Sequence, residues 1–531
     1  MCSNQLTLNA LLQRVARSRP EGYLTIYGRR RQSRSKTYAK LHDDEQRFAA
    51  GIRAMGGRRG EFVGLAFSAS IEFFIVFFGS LRAGLVVVPL PTGVLGRLRS
   101  PREQERTQSI LKIVKPRWIF GPPEVGGNVS VDEIFASGSS HEPLAPLNPE
   151  DIAVVQFTSG SLSEPKGVVL TQANLGANVM AIAEAVNMGP ADTVDHWLPL
   201  FHDMGIIGTL AGLCSGADVR LCSPGTFLAD PFGWLCEFAK NRSTISPAPH
   251  FAYRMLTDSY DCGRASGLNL STWRVAFNGS EPISFEDLER FQSVFGPHGF
   301  RPSSMVPVYG LAEATLAVTF PKYGTAPQST SFMNGIRYVS VGTSITGQEV
   351  MLRTLPPDLS AEFPKSAGEI CIRGASLMQG YLLSTDLIDP CRDALGWFAT
   401  GDVGFSFEGR LHVCGRIKEL IIIRGQHYFP RELEWAALQS ARLKGVKIAE
   451  CAALGVDDKG EAFISIFVEI RDSPPDLLER LQAVGGELTR DFGVVIRLIA
   501  VPTKSIPKTT SGKIRRLALP DLFRKQNNDQ N

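Results

Sequence analysis

Short unbroken apolar runs alternate with segments whose apolar positions recur every three to four residues over most of the chain. Phe62 to Ala66, Ile152 to Phe157, Val219 to Cys222 and Val275 to Asn278 have the pattern of buried strands. Between them, Leu175, Val179, Ile182, Ala183 and Val186 fall on one helical face, and Thr171 is placed to cap that helix. Such alternation predicts α/β architecture with a largely parallel sheet. The most apolar stretch, Ile71 to Leu90, carries Glu72 and Arg82 and is broken by Gly79 and Gly84. It reads as a buried helix (Ile71 to Ala83) entering a buried strand (Leu85 to Val88), not as a membrane span. Near the C-terminus the pattern changes. Cys451 to Leu454, Phe463 to Ile470 and Val494 to Val501 are strand-like around a helix from about Pro475 to Phe492, enough for a separate small α+β domain. The polar end, Lys525 to Asn531, is expected to fray. No internal repeat is visible.

Composition narrows this picture without redirecting it. A chain of 531 residues exceeds the usual single core, so two or more domains are expected. Lys plus Arg number 56 against 53 Asp plus Glu, a near-balance that leaves no electrostatic footprint for nucleic acid. The run Arg29-Arg30-Arg31 reads as a solvated face. Nine scattered cysteines contain no C-x-x-C pair, which fits reduced thiols in a cytoplasmic protein rather than zinc or a disulfide framework. The N-terminus has no basic-then-apolar signal pattern.

Five segments could carry chemistry, and each has a plain structural alternative. After the strand ending at Phe157 come Thr158, Ser159, Gly160, Ser161, Leu162, Ser163, Glu164, Pro165, Lys166 and Gly167. Hydroxyls and backbone N–H groups in such a loop can hold phosphate oxygens, or the loop can be simple connection. It is not a Walker loop, because no Gly-Lys-Ser/Thr closes it. In His196 to Gly205, His202 can steer a substrate carboxylate, or a histidine here can be bonded to backbone in the interior. In Val308 to Glu313, the Tyr309 ring can stack on a base and Glu313 can hold Mg²⁺; equally, one is core and the other a surface charge. Thr400-Gly401-Asp402 reads as a turn whose carboxylate can accept from a ribose diol. Pro507 to Arg516 is a basic loop from which a lysine can reach an anion in another domain, or a solvated tail.

Taken in order, these segments resemble the adenylate-forming superfamily of acyl-CoA synthetases, luciferases and peptide-synthetase adenylation domains. The resemblance runs from about Tyr38 to Arg516 and includes Gly368-Glu369-Ile370, Gly380-Tyr381 and Gly415-Arg416-Ile417-Lys418-Glu419. Trp197-Leu198-Pro199, His202 to Gly205, Asn278 to Pro282 and Tyr309 to Thr315 are similar to the fatty acyl-AMP ligase subgroup; common CoA ligases have Thr where this chain has Ala312. The chain departs from that pattern at Leu162, where Thr is usual, and at His250, where Asn is common and the acyl pocket would be altered. The stretches Phe320 to Val339 and Leu382 to Trp397 look short; in the subgroup an inserted segment helps block the movement that CoA transfer needs.

The resemblance implies an α/β fold in two parts. A large N-terminal domain, 1–416, would hold two sheets flanked by helices plus a small β-barrel-like subdomain. A small mobile C-terminal α+β domain, 417–531, would carry the catalytic lysine. It further implies ATP and Mg²⁺, a fatty or other carboxylic acid as substrate, and the phosphopantetheine thiol of an acyl carrier protein as acceptor. Thr158, Ser159, Gly160, Ser161 and Lys166 would hold the β- and γ-phosphates, and Gly279, Ser280, Glu281, Tyr309 and Gly310 the adenine. Asp402, assisted by Arg416, would bind the ribose; Glu313 and Thr158 would bind the metal. Lys513 would be the catalyst, with His202 and Glu313 acting beside it, and Lys418 the hinge. Trp197, Met204, Ile206, Ile207, Phe251 and Met255 are candidate acyl-tunnel residues that could equally be core packing. An acyl- or aryl-CoA synthetase and a non-catalytic nucleotide-binding relative are the competing readings.

Overall fold

The computed structural model describes residues 7–28, 33–92, 101–138, 145–158, 165–331, 337–356, 366–385, 387–423, 426–458, 461–471, 474–508 and 513–528. Two seven-stranded sheets organise the larger part. The first runs Met305–Pro307, Val275–Gly279, Ile245–Pro249, Thr193–His196, Asp218–Leu221, Tyr23–Tyr27, Ser33–Thr37, parallel throughout except for its last pair. The second runs Leu387–Asp389, Gly380–Ser384, Lys166–Thr171, Ile152–Thr158, Val86–Pro89, Phe62–Leu65, Trp118–Phe120. From Ile152–Thr158 to Trp118–Phe120 it is parallel, but its other half is antiparallel. The expectation of a largely parallel sheet holds for the first sheet and is corrected only in the second. The connection from Thr158 to Lys166 is too short for a crossover helix, so the chain returns as a hairpin.

The helix Ile71–Arg82 forms as its apolar run predicts, with the Ser70 hydroxyl accepting from the Phe73 N–H at 3.2 Å, and it is buried on nearly every side. Thr171 caps the helix Gln172–Ala185 in a reciprocal capping box with Asn174. A four-stranded antiparallel sheet of Gln348–Thr354, Ala367–Gly374, Phe398–Phe407 and Arg410–Arg416 forms the smaller subdomain of this part.

Past the 3₁₀ turn Ile417–Glu419 the chain builds cores of its own. Helices Pro430–Leu443 and Leu477–Phe492 cover one side of the sheet Ile448–Asp458, Glu461–Ile470, Ile496–Val501. The last helix, Leu519–Asn528, corrects the expectation that the chain frays from Lys525. Its apolar side, Leu519, Leu522 and Phe523, packs on Ala452, Phe467, Val501 and Ile506, and that burial holds the polar residues beyond it in helix. Arg29, Arg30 and Arg31 and residues 529–531 lie outside the described residues.

The two parts meet along one face. Trp435 Nε1 donates to Ser284 Oγ at 3.3 Å and Arg431 Nη2 to the Ile283 carbonyl at 2.5 Å. Arg471 pairs with Asp258 at 2.8 Å, and Arg254 with Glu450 at 3.6 Å.

Candidate active site

The site residues expected from the sequence come from several separate segments of the larger part and one of the smaller. Thr158 and Lys166 end the two strands of the hairpin and pair with each other in register. Ser159, Gly160 and Ser161, expected to hold phosphate, lie outside the described residues, as do Leu162, Ser163 and Glu164. The exposed Lys166 places its ammonium 4.7 Å from the centre of the Tyr381 ring.

Strand Val275–Gly279 leads into Ser280, whose φ of +66° is a left-handed conformation that a non-glycine residue adopts at some cost. Ser280 Oγ lies 3.3 Å from Met204 Sδ, and the Glu281 carboxylate accepts from the Phe251 N–H. His250 anchors the same loop from beneath. Its Nδ1 lies 3.2 Å from Asn278 Nδ2, and its Nε2 lies 3.2 Å from both Asp287 Oδ2 and the Ser284 N–H. Both ring nitrogens are thus committed to the loop. The expected alteration of the acyl pocket by a polar group here finds no free donor to work through.

Tyr309 and Gly310 pair antiparallel with Ala317–Phe320. A Cβ on Gly310 would stand 1.9 Å from the Leu316 carbonyl oxygen, so only glycine lets these backbones approach. The Tyr309 hydroxyl donates to Asp402 Oδ2 at 2.7 Å, and Arg416 Nε donates to Asp402 Oδ1 at 2.8 Å. The Asp402 carboxylate raises the Arg416 pKa, its largest influence, while burial and then Asp402 raise that of Tyr309. Thr400-Gly401-Asp402 is not the turn that was expected. It lies inside the strand Phe398–Phe407 at a bulge, where Gly401 takes φ +75° and the Thr400 hydroxyl bonds to the Ile370 carbonyl at 2.7 Å. A bulge re-aims a side chain without ending the strand, which is how Asp402 comes to point at Tyr309.

Glu313 sits on the 3₁₀ turn Ala312–Ala314, and the Tyr381 hydroxyl donates to its Oε1 at 2.6 Å. Among the described residues no group of three or more His, Cys, Asp or Glu side chains is arranged to hold a metal by itself. The donor set of one carboxylate and the Thr158 hydroxyl nonetheless fits Mg²⁺, which takes one or two protein oxygens and fills its shell with phosphate oxygens and water.

His202 and Asp203 open the helix Asp203–Ser215. Burial holds the His202 imidazole down to about 3, and the positive charges of Arg106 and Lys513 push the same way. The ring is therefore neutral near pH 7, and it can steer a carboxylate only by donating an N–H, not by charge. Burial raises the Asp203 carboxyl, opposed by the charge of Lys513. Lys513, on the smaller part, thus acts electrostatically on two residues of the larger one.

The described residues on either side of Lys513 are tied down. Before it, Lys508 pairs with Ile514 in an antiparallel bridge, and its ammonium lies 2.5 Å from Glu450, the partner of Arg254. After it, Arg516 donates to Glu434 at 2.5 and 3.0 Å and to Glu419 at 3.3 Å, tying the loop to the turn that contains the exposed Lys418.

Of the candidate tunnel residues, Trp197 stacks on Phe227 at 4.1 Å and is buried with Met204, Ile206 and Ile207, whereas Phe251 and Met255 are half-buried on the helix His250–Asp258. His196 is fully buried and bonded to Thr209 at 2.9 Å, a core role. Reading the sequence missed Arg106, on the helix Pro101–Val114, whose Nη2 donates to the Thr158 carbonyl at 2.9 Å. Nothing in its flanking residues marks it; only the fold brings it to the hairpin.

Comparison with known proteins finds relatives along most of the chain. The model of the AMP-binding enzyme family matches residues 12–382. The chain is 30% identical to the medium-chain-fatty-acid–[acyl-carrier-protein] ligase JamA of Moorena producens, across 96% of this chain and 93% of that one. It is also 30% identical to the long-chain-fatty-acid–AMP ligase FadD26 of Mycobacterium marinum, across 88% of each. Among solved structures it is similar to one from a study of fatty acyl-adenylate ligases of E. coli and L. pneumophila (TM-score 0.85, 29% identity, 99% and 98% of the two chains). It is also similar to the L. pneumophila fatty acyl-adenylate ligase in complex with acyl adenylate and pyrophosphate (TM-score 0.73, 28% identity, 98% and 96% of the two chains). The site residues and these relatives lead to one conclusion: this chain is a member of the AMP-binding enzyme family.

Proposed function

We propose that the chain is a fatty acyl-AMP ligase. It activates a fatty acid with ATP, releases pyrophosphate and passes the acyl group to the phosphopantetheine thiol of an acyl carrier protein. What supports this reading is the Tyr309–Asp402–Arg416 cluster together with the charge of Lys513 bearing on His202 and Asp203.

The first half-reaction brings two anions together, so the protein must position them and offset their charge. Gly279, Ser280, Glu281, Tyr309 and Gly310 seat the adenine, and Asp402 with Arg416 takes the ribose hydroxyls. Thr158 and Lys166 face the phosphates with the loop between them. Glu313, oriented by Tyr381, and Thr158 would hold Mg²⁺, which when bound lowers the repulsion between phosphate oxygens and the incoming carboxylate. The neutral His202 donates an N–H toward that carboxylate, and the Lys513 ammonium bridges carboxylate and α-phosphate as charge develops.

The second half-reaction requires Lys513 to leave. Residues 1–416 and 417–531 act as two domains, with Lys418 on the connecting 3₁₀ turn as the hinge. Largely separate cores support this division, with one smaller cluster, Val403, Phe405, Cys414 and Phe429, spanning the boundary. A carrier protein is favoured over CoA as acceptor by the similarity to the acyl-carrier-protein ligase JamA. Arg337 pairs with Glu286 and Glu289 of the larger part, while the buried Tyr338 hydroxyl bonds to Glu432 of the smaller one. No helix among the described residues is long and apolar enough to cross a membrane.

The test is fatty-acid-dependent exchange of pyrophosphate into ATP, followed by acyl transfer to phosphopantetheinylated carrier protein or to CoA. Absence of exchange with every fatty and aromatic acid would sink the ligase reading; exchange with transfer only to CoA would replace the acceptor.

A further inference from the structure

We propose that Arg106 is an anion-binding residue of the active site and takes the pyrophosphate as it leaves. This inference rests on the ligase reading above. Arg106 projects from the helix Pro101–Val114, which is fixed by the fully buried Ile110 and Val114. One of its donors, Nη2, is used by the Thr158 carbonyl, at the end of the strand that enters the phosphate-facing hairpin. Its Nε is buried and has no hydrogen-bond partner.

Among the described residues no carboxylate pairs with it; the charge that bears on it most is the guanidinium of Arg515, and it in turn bears on His202 together with Lys513. Arg515 thus bears on Arg106, and Arg106 and Lys513 both bear on His202. A buried donor such as the Arg106 Nε is costly to leave without an acceptor, and an anion would supply one. A guanidinium fork with free N–H donors matches phosphate oxygens. Lys513 is committed to the carboxylate and the α-phosphate. Arg106, beside Thr158, faces the β- and γ-phosphates instead.

In the step itself a carboxylate oxygen forms a bond to the α-phosphorus while the bond from that phosphorus to the bridging oxygen breaks. The electron pair departs on the bridging oxygen as pyrophosphate, and no proton is needed. Arg106 stabilises the charge gathering on that leaving group.

A phosphodiester of the phosphopantetheine arm has related chemistry, so the experiment separates the two sources. Arg106→Gln and Arg106→Lys are compared with the parent protein for inhibition by pyrophosphate, inhibition by AMP, and transfer from isolated acyl-adenylate to carrier protein. Loss of a charged hydrogen bond predicts a pyrophosphate inhibition constant about 10- to 100-fold weaker in the glutamine variant. AMP inhibition and acyl transfer should stay within about twofold, and lysine should restore part of the loss. A merely structural role would weaken AMP and pyrophosphate alike. That outcome, an unchanged pyrophosphate constant, or a loss confined to transfer overturns the proposal. If the glutamine variant fails to fold, the lysine variant reports the same contrast. A parent protein without acid-dependent pyrophosphate release would overturn the ligase reading instead.

Discussion

The Tyr309 hydroxyl and the Asp402 carboxylate are joined by a 2.7 Å hydrogen bond although 93 residues separate them in sequence. Arg416 holds the other carboxylate oxygen, so Asp402 is oriented from both sides before any nucleotide arrives. Asp402→Asn should therefore raise the KM for ATP about 10- to 100-fold, the cost of losing a charged acceptor for the ribose. Tyr309→Phe keeps the ring and loses only one hydroxyl, so its effect should stay below about tenfold. Initial rates against ATP concentration rank the two; a larger effect from Tyr309→Phe would contradict the assignment.

Lys513→Ala should lower the adenylation rate about 10²- to 10³-fold, by analogy with the loss of a transition-state charge donor. ATP binding, measured by calorimetry, should persist, because Asp402 and Tyr309 are untouched. Near-normal acid-dependent pyrophosphate release by this variant would remove Lys513 from the mechanism.

Lys418→Pro addresses the second half-reaction. The side chain is exposed and sits in the turn Ile417–Glu419 between the two parts. Proline stiffens the torsions that rotation must change. Adenylation should be preserved and transfer to carrier protein slowed several-fold; equal loss of both steps counts against a hinge at this position.

Acid should destabilise the protein through its buried histidines. Burial lowers the His196 pKa to about 3, so between about pH 6.5 and 3 the unfolded chain binds a proton that the folded one refuses. Stability is then greatest above pH 6.5 and falls as pH drops through that window, by about 2 kcal/mol at pH 5 from this residue alone. Urea midpoints at pH 7 and pH 5 should differ in that direction, and the difference should shrink in His196→Asn. His202 is held neutral in the same way, so the pH profile of adenylation should show no protonation limb from it near pH 6.5.

Local sequence was a good guide wherever burial pattern and capping act over a few residues. The helix Gln172–Ala185 with its Thr171 cap and the buried helix Ile71–Arg82 lie where periodicity puts them. It failed where a distant partner chooses the conformation. Thr400-Gly401-Asp402 has turn residues but is a strand bulge, because the neighbouring strand Ala367–Gly374 pairs around it. The C-terminal helix persists to Asn528 because Phe467 and Ile506, far away in the chain, give its apolar face a place to pack.

By itself the sequence determined the chemical inventory: an ordered set of hydroxyl, carboxylate and cationic residues with the α/β pattern to display them, since composition and periodicity are local properties. Only the tertiary structure decided which of these groups meet. It brought Lys513 within electrostatic reach of His202, set Arg106 against Thr158, and tied His250 to the loop at Ser284. Charges and hydrogen bonds act over a few ångströms of space, and separation along the chain does not record that distance.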